Sequence, residues 1–268
     1  MKEKIKPILP YIEIPIVKHC NLKCKCCSHL SNVERECFLD IGEFEKGILR
    51  LSSLFENIEV IRLLGGEPLL HPEIVSFVKL TRKTFPKSEI KLVTNGLPII
   101  NLDDSVILSL AGEGAIFDIS QYAPTSKIKD KLVSKLRQNK ALFYLSEPIT
   151  EFRKRLLSEP LSDAKTAWES CGSKNCYILC GEYISYCCLA QLQDAAEEYF
   201  DFKMDMSESK LNIFDADLDG ARVIEFLSSP HSCCSYCGVP ETVTWSVSKK
   251  ATLSDWTVDK PIKRQDQK

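Results

Sequence analysis

The chain opens with short apolar runs that alternate with segments of helical period. Tyr11–Val17 reads as a strand that ends just before the first group of cysteines. Asp40, with Glu43 three residues on, predicts a helix start of the capping-box kind. Ile41, Phe44, Ile48, Leu51 and Phe55 then recur at spacings of 3, 4, 3 and 4, which places them on one helix face. Ile58–Leu64 is a β-branched run closed by Gly65-Gly66, and Pro72 suits the first turn of a helix carrying Ile74, Phe77 and Val78. The same alternation predicts a strand over Ile90–Thr94, a helix over Leu102–Ala111 and a strand over Ala115–Ser120. A helix over Lys127–Asn139 and a fifth strand over Ala141–Leu145 complete it. Near-continuous apolar strands separated by helices imply a parallel sheet covered by helices, with chemistry at the strand C-terminal ends. Beyond residue 150 the alternation decays, so the chain is expected to divide into residues 1–150 and a smaller unit at 151–268.

Composition narrows the class. A chain of 268 residues with 44% hydrophobic and 27% charged positions is an ordinary globule with ample core. The net charge of −2, from 35 basic and 37 acidic residues, advertises no surface for nucleic acid. The longest stretch free of Asp, Glu, Lys and Arg is Phe226–Pro240, and it holds serines, prolines and a histidine. That is shorter than the roughly 20 apolar residues of a spanning helix. Prolines and Glu13 interrupt any signal-peptide core, so no membrane partner and a cytoplasmic location are expected.

Cysteine changes the picture. There are 13, and they cluster: Cys20, Cys24, Cys26, Cys27 and Cys37, then five within Cys171–Cys188 and three within Cys233–Cys237. An odd count in a reducing compartment argues against a disulfide framework, and clustering argues for metal ligation. Cys20, Cys24 and Cys27 have the spacing C-x3-C-x2-C. Three thiolates on one loop can hold three corners of a [4Fe–4S] cubane and leave the fourth iron open. The alternative is zinc, with His29 as a further ligand.

Here the chain resembles the radical S-adenosylmethionine (radical SAM) superfamily, over residues 10 to about 145. Gly65-Gly66-Glu67-Pro68 after the second strand resembles that superfamily's GGEP motif. Its glycines would let backbone approach the methionine end of S-adenosylmethionine. Thr94-Asn95-Gly96 and Asp118-Ile119-Ser120 stand where the family reads the rest of that molecule. The resemblance implies a partial TIM-type (β/α)6 barrel, an α/β fold, with a small cysteine-rich C-terminal domain. It also implies a [4Fe–4S] cluster on Cys20, Cys24 and Cys27, and S-adenosylmethionine held by Gly65, Gly66, Glu67, Pro68, Thr94, Asn95, Asp118 and Ser120. One departure is Cys26, where the family has an aromatic residue or, in some members, glycine. The x3/x2 spacing selects Cys27 as the ligand and leaves Cys26 a bystander. Cys37 reads as a plain buried residue.

The later cysteines resemble the Twitch domain, a shortened SPASM extension, in which a cysteine-bearing hairpin and a later C-x2-C hold one auxiliary [4Fe–4S] cluster. The resemblance assigns Cys171, Cys187, Cys234 and Cys237, with Cys176 in reserve for Cys171 and Cys188 open against Cys187. A zinc knuckle and a metal-free segment are the alternatives.

The implied activity is reductive cleavage of S-adenosylmethionine to a 5′-deoxyadenosyl radical that takes hydrogen from a substrate, with a flavodoxin or ferredoxin as reducing partner. Resemblance along Phe44–Ile74, and the mere 19 residues before Cys20, favour a small polyhydroxylated substrate over a peptide. A non-enzymatic iron–sulfur or zinc protein is the remaining reading. His19 and His29 read as solvated loop residues, His71 as a cap for the helix at Pro72, Trp168, Trp245 and Trp256 as packing, and Lys260–Lys268 as a frayed tail.

Overall fold

The computed structural model describes residues 6–191 and 193–264. Its strands are β1 (Ile8–Val17), β2 (Asn57–Gly65), β3 (Glu89–Thr94), β4 (Ile116–Ile119) and β5 (Leu142–Leu145). They are followed by β6 (Glu151–Leu156), β7 (Ile178–Cys180), β8 (Tyr183–Ser185), β9 (Leu211–Asn212) and β10 (Cys237–Thr244). The helices are α1 (Ile41–Leu54), α2 (Ile74–Thr84), α3 (Asp104–Gly112), α4 (Ala123–Gln138), α5 (Ala164–Glu169), α6 (Gln193–Phe200) and α7 (Gly220–Leu227).

The main sheet runs β5-β4-β3-β2-β1-β7-β8-β9. The neighbours from β1 to β5 are all parallel, in register from Ile8 beside Asn57 to Ile119 beside Leu145. This is the expected α/β fold, with α1 to α4 as crossovers. The stripe predicted for α1 is the one it buries: Phe44, Ile48 and Leu51 are inaccessible or nearly so. Asp40 caps it, its Oδ1 accepting from the Gly42 and Glu43 N–H groups. α4 begins four residues before its predicted start, because Pro124 sits comfortably in a first turn. α2 begins only at Ile74, after Pro72 has shaped the preceding turn.

A sixth parallel strand does not follow β5. β6 leaves the sheet and pairs antiparallel with β10. The C-terminal hairpin β7–β8 instead extends the main sheet beyond β1, where the Glu13 N–H donates to Tyr177 O at 2.7 Å. Gly181 takes φ +58° at that hairpin's turn, a conformation glycine adopts without strain. The segment after residue 150 therefore shares sheet and core with the part before it. One apolar cluster extends from Leu9 to Trp256. Arg50 of α1 reinforces the junction by donating to the carbonyls of Ile213, Asp215 and Leu218. The expected frayed tail is docked as far as Ile262: Val239 donates to Lys260 O, and Ile262 to Ser162 Oγ at 2.7 Å. Its last residues, 265–268, lie outside the described ones. No helix among the described residues is long and apolar enough to cross a membrane.

Candidate functional site

Parallel pairing gathers the C-terminal ends of β1 to β4 at one mouth. There Cys20, Cys24 and Cys27 line a cavity of about 230 Å³ with Gly65, Gly66, Thr94, Asn95 and Ser120. Residues more than 70 positions apart in sequence thus come together, because each follows a strand in the same layer.

Every one of the three sulfurs is met by hydrogen-bond donors. Leu22 N–H lies 3.4 Å from Cys20 Sγ and Asn95 Nδ2 lies 3.6 Å from it. The Trp245 indole N–H donates to Cys24 Sγ at 3.3 Å. Backbone N–H groups of His29, Leu30 and Ser31, with the Ser31 hydroxyl, act on Cys27. Burial nevertheless pushes the Cys20 thiol up to about 12 and Cys24 up to about 11, and raises Cys27. Bare, these thiols stay protonated and unreactive near pH 7. Buried sulfurs surrounded by donors suit thiolates whose charge a metal centre neutralises. That donor set fits a [4Fe–4S] cluster held by three cysteines. Among the described residues no three His, Cys, Asp or Glu side chains converge as closely as a single ion requires.

Cys26 turns the other way. Its φ of +62° is left-handed, and its buried side chain lines a second cavity, not the first. This explains why glycine suits that position. Cys37, expected to be buried, is exposed: its segment runs beside the end of β1, with Lys18 N–H donating to Cys37 O and Cys37 N–H to His19 Nδ1. His19 is thereby a staple and no free loop residue. His71 is buried, its Nδ1 accepting from Glu73 N–H ahead of α2.

The GGEP turn has a structural task as well. A Cβ on Gly66 would collide with the carbonyl of His19, and one on Gly65 with that of Val17. Gly66 N–H donates to Val17 O and Glu67 N–H to His19 O. The room these glycines leave is filled by the loop that carries Cys20. Glu67 is wholly buried: its carboxylate accepts from Leu69 N–H, Thr94 Oγ1 and Asn95 N–H, at 3.1, 2.7 and 2.8 Å. Burial pushes its carboxyl up to about 7 against the pull of those three donors. Glu67 braces β2 against β3, and Pro68, also buried, opens the short helical turn beside it. Neither lines the cavity, whereas both glycines, Thr94, Asn95 and Ser120 do.

The cavity floor was not legible as a site. Glu13 of β1 sits beside Arg62 of β2 in register. Arg62 bonds to Tyr11 Oη at 2.9 Å, Glu13 Oε1 at 3.4 Å and Asp118 Oδ2 at 2.8 Å. Asp118 is thus committed to Arg62 and does not line the cavity. Charged residues in the middle of Ile12-Glu13-Ile14 and Ile61-Arg62-Leu63 were the available signal. A solitary charge inside an apolar strand needs a partner across the sheet. Among the described residues, His29 Nε2 and Arg62 Nε are buried polar atoms without partners, and both side chains belong to the lining.

A second cavity, about 170 Å³, is lined by Cys171, Cys187, Cys188 and Cys237, with Arg155 and Cys26. Burial raises Cys237, and Cys187, Cys234 and Cys171 add to the effect, so the four cysteines assigned by resemblance are neighbours. Tyr186 Oη lies 2.5 Å from Cys234 Sγ and 3.1 Å from Cys233 Sγ. Bonds from Cys233 first, and from Tyr186, draw the Cys234 thiol down while Cys233 is driven up. Cys176 lies outside the lining, nearer Glu13. Ser28 lines both cavities, so the Cys26-Cys27-Ser28 segment is their shared wall.

Comparison with known proteins decides the family of the first site. Residues 14–141 match the model of the radical SAM superfamily. These residues are a radical SAM domain. The domain accordingly uses a [4Fe–4S] cluster and S-adenosylmethionine. Molybdenum cofactor biosynthesis protein 1 of Bos taurus is 35% identical over 94 residues, 34% of this chain and 15% of that protein. The GTP 3′,8-cyclase of Nautilia profundicola is 34% identical over 96 residues, 35% of this chain and 30% of that protein. The chain thus matches less than a third of the length of these relatives. Two solved structures share the fold across most of the chain. One is anSMEcpe with bound AdoMet, with a TM-score of 0.54 at 15% identity, covering 86% of this chain and 83% of that one. The other is BtrN in complex with AdoMet and 2-DOIA, with a TM-score of 0.52 at 17% identity, covering 87% and 94%. The radical SAM domain and its α/β sheet are what the resemblance led one to expect.

Proposed function

We propose that this radical SAM protein takes hydrogen from a small polyhydroxylated, carbohydrate-type molecule and completes a two-electron oxidation of it. The observation that carries the substrate class is the charge of the first cavity. Glu13 and Arg62 are its charged lining residues, and Arg62 is already engaged by Glu13, Asp118 and Tyr11. Among the described residues of that lining Arg62 is the one Lys or Arg, and its pairing leaves little positive charge for a triphosphate; Arg153, Lys154 and Arg155 line the second cavity instead. Hydroxyl groups, in contrast, find Ser28, Ser31, Ser120 and Tyr122 in the lining.

In this reading Cys20, Cys24 and Cys27 hold the radical cluster, and Gly65, Gly66, Thr94, Asn95 and Ser120 border the S-adenosylmethionine. Glu67, Pro68 and Asp118 act from behind them by fixing the strand ends. Cys171, Cys187, Cys234 and Cys237 hold a second [4Fe–4S] cluster, and residues 151–268 form the unit that carries it. The hydroxyl of Tyr186 lies against both Cys234 and Cys233. When bound, the first cluster with S-adenosylmethionine supplies the 5′-deoxyadenosyl radical, and the second an acceptor for the electron left after hydrogen abstraction. The protein's own part is to aim that radical and keep water out, which the apolar walls Leu22, Leu64, Val93 and Phe152 serve. A flavodoxin- or ferredoxin-type partner delivers the initiating electron.

A nucleotide substrate is the second reading, favoured by the GTP 3′,8-cyclase relatives. Anaerobic reconstitution with iron and sulfide, then dithionite and S-adenosylmethionine, separates the two. 5′-Deoxyadenosine formation should be stimulated by an aminocyclitol or free sugar and not by GTP. Stimulation by GTP, or by a cysteine-bearing peptide alone, would overturn the substrate class. No 5′-deoxyadenosine with any of them would remove the enzyme.

A further inference from the structure

We infer that Trp245 is a positioning residue for the radical cluster: its indole N–H, supplied from outside the matched domain, bonds to the sulfur of Cys24 and sets the cluster's reduction potential. The inference rests on the reading that Cys20, Cys24 and Cys27 hold that cluster.

The indole nitrogen lies 3.3 Å from Cys24 Sγ. Trp245 is held through both its ring and its backbone. One face of the ring stacks on Tyr122, the residue ahead of α4, with centroids 5.4 Å apart and planes at 17°. Its own backbone N–H donates to Thr150 O at 2.8 Å. The next residues are laced to the cysteine loop itself. Lys25 N–H donates to Ser246 O and Ser248 N–H to Lys23 O, each at 2.8 Å, which sets Val247 opposite Cys24 as in a β-bridge. Further along, Trp256 Nε1 donates to Cys27 O at 2.8 Å, and Asp255 pairs with Lys25 at 3.0 Å. The segment from Trp245 to Trp256 is therefore a clamp on the loop, and Trp245 is the member of it that reaches a sulfur.

The chemistry explains why a donor there matters. A neutral thiol accepts hydrogen bonds weakly, whereas a metal-bound thiolate is a charged acceptor. Reduction of a cluster adds electron density that its sulfurs share, so an N–H aimed at one of them favours the reduced state and raises the potential. Indole is a donor only, so the bond has one sense. Cys24 is 7% exposed, and water cannot easily replace the indole there.

Trp245→Phe keeps an aromatic ring against Tyr122 and deletes the N–H. In the full chain, reconstituted anaerobically, the variant should hold iron at the wild-type level. The one-electron potential of its radical cluster, read by EPR-monitored titration, should move negative by about 59 mV, a tenfold change in the reduction equilibrium. Trp256→Phe removes a clamp bond to a carbonyl and should leave the potential in place. Pulsed EPR of the wild-type protein with 15N-indole tryptophan should show a nitrogen coupled to the reduced cluster, absent in Trp245→Phe. An unchanged potential with iron retained, iron lost in step with the substitution, or no coupled nitrogen in the wild type would each overturn the inference. Retention of the cluster in Cys24→Ala would instead overturn the ligand reading beneath it.

Discussion

At the scale of single residues, the two consecutive cysteines 26 and 27 have opposite fates, and the backbone decides between them. Cys27 lines the first cavity, while Cys26 is left-handed and faces the second. A left-handed non-glycine residue costs about 1–2 kcal/mol. Cys26→Gly removes that strain and loses buried sulfur, worth about 1 kcal/mol by area, so the two nearly cancel. Its stability in anaerobic denaturant titration should stay within about 1 kcal/mol of wild type, by that balance. 5′-Deoxyadenosine formation should persist. Cys26→Ala keeps the strain and should be the less stable of the pair. Cys20→Ala, Cys24→Ala and Cys27→Ala should each abolish 5′-deoxyadenosine, because two protein ligands hold a cubane poorly. An inactive Cys26→Gly beside an active Cys27→Ala would reverse the assignment. Gly66→Val should lower iron content and S-adenosylmethionine affinity together, since its side chain would strike His19 at the root of the cysteine loop. That coupled loss could not be foreseen from the motif, whose glycines look reserved for a ligand until the neighbouring loop is seen.

At the scale of elements, what the strand ends do is held in place by a carboxylate that touches no cavity. Glu67 accepts three hydrogen bonds and joins the end of β2 to that of β3. Glu67→Gln leaves the volume intact but turns one acceptor atom into a donor, facing the donors of Leu69, Thr94 or Asn95. An unsatisfied buried pair of this kind costs about 1–3 kcal/mol. The variant should lose about that much stability in denaturant unfolding, and its S-adenosylmethionine dissociation constant should rise as Thr94 and Asn95 shift. Full stability would mean that the brace is dispensable. The order of the elements was legible because the first five strands are predominantly apolar and the helices between them carry an apolar stripe, as Phe44, Ile48 and Leu51 show in α1. The departure of β6 was not. Phe152 and Leu156 alternate with charges over Glu151–Leu156 as in any half-exposed strand, and nothing local says which partner it takes. β10 lies some 80 positions later, with Pro240 and a bulge in its course.

At the scale of the whole molecule, the two cavities share the wall Cys26-Cys27-Ser28, so the radical site and the second cysteine group are built into one core. The front triad was legible as a candidate because its cysteines are local, set by spacing on one loop. The second group was legible only as a set of candidates. Its members come from the loops after α5 and β8, from the turn ahead of β10 and from the start of β10, and the fold brings these distant segments together. Cys171 faces the cavity where Cys176 does not, and the Tyr186 hydroxyl touches both Cys233 and Cys234. The double change Cys234→Ala/Cys237→Ala tests the role of that group in the reaction. Alanine keeps the backbone bonds that dock β10, including Leu157 N–H to Tyr236 O and Ser162 Oγ to Cys237 O. Trp245, which follows β10, should therefore stay in place over Cys24. Iron should fall from about eight to about four atoms per chain, given two four-iron clusters. S-adenosylmethionine cleavage should survive in part, because the front triad and its donors are untouched. Oxidised product should fall well below 5′-deoxyadenosine, because a substrate radical without an internal acceptor is quenched or returns its hydrogen. Unchanged iron, or zinc in place of iron, would remove the second cluster from the account. Lost iron with product still equal to 5′-deoxyadenosine would make that cluster a staple of the fold, and the electron would then leave by another route.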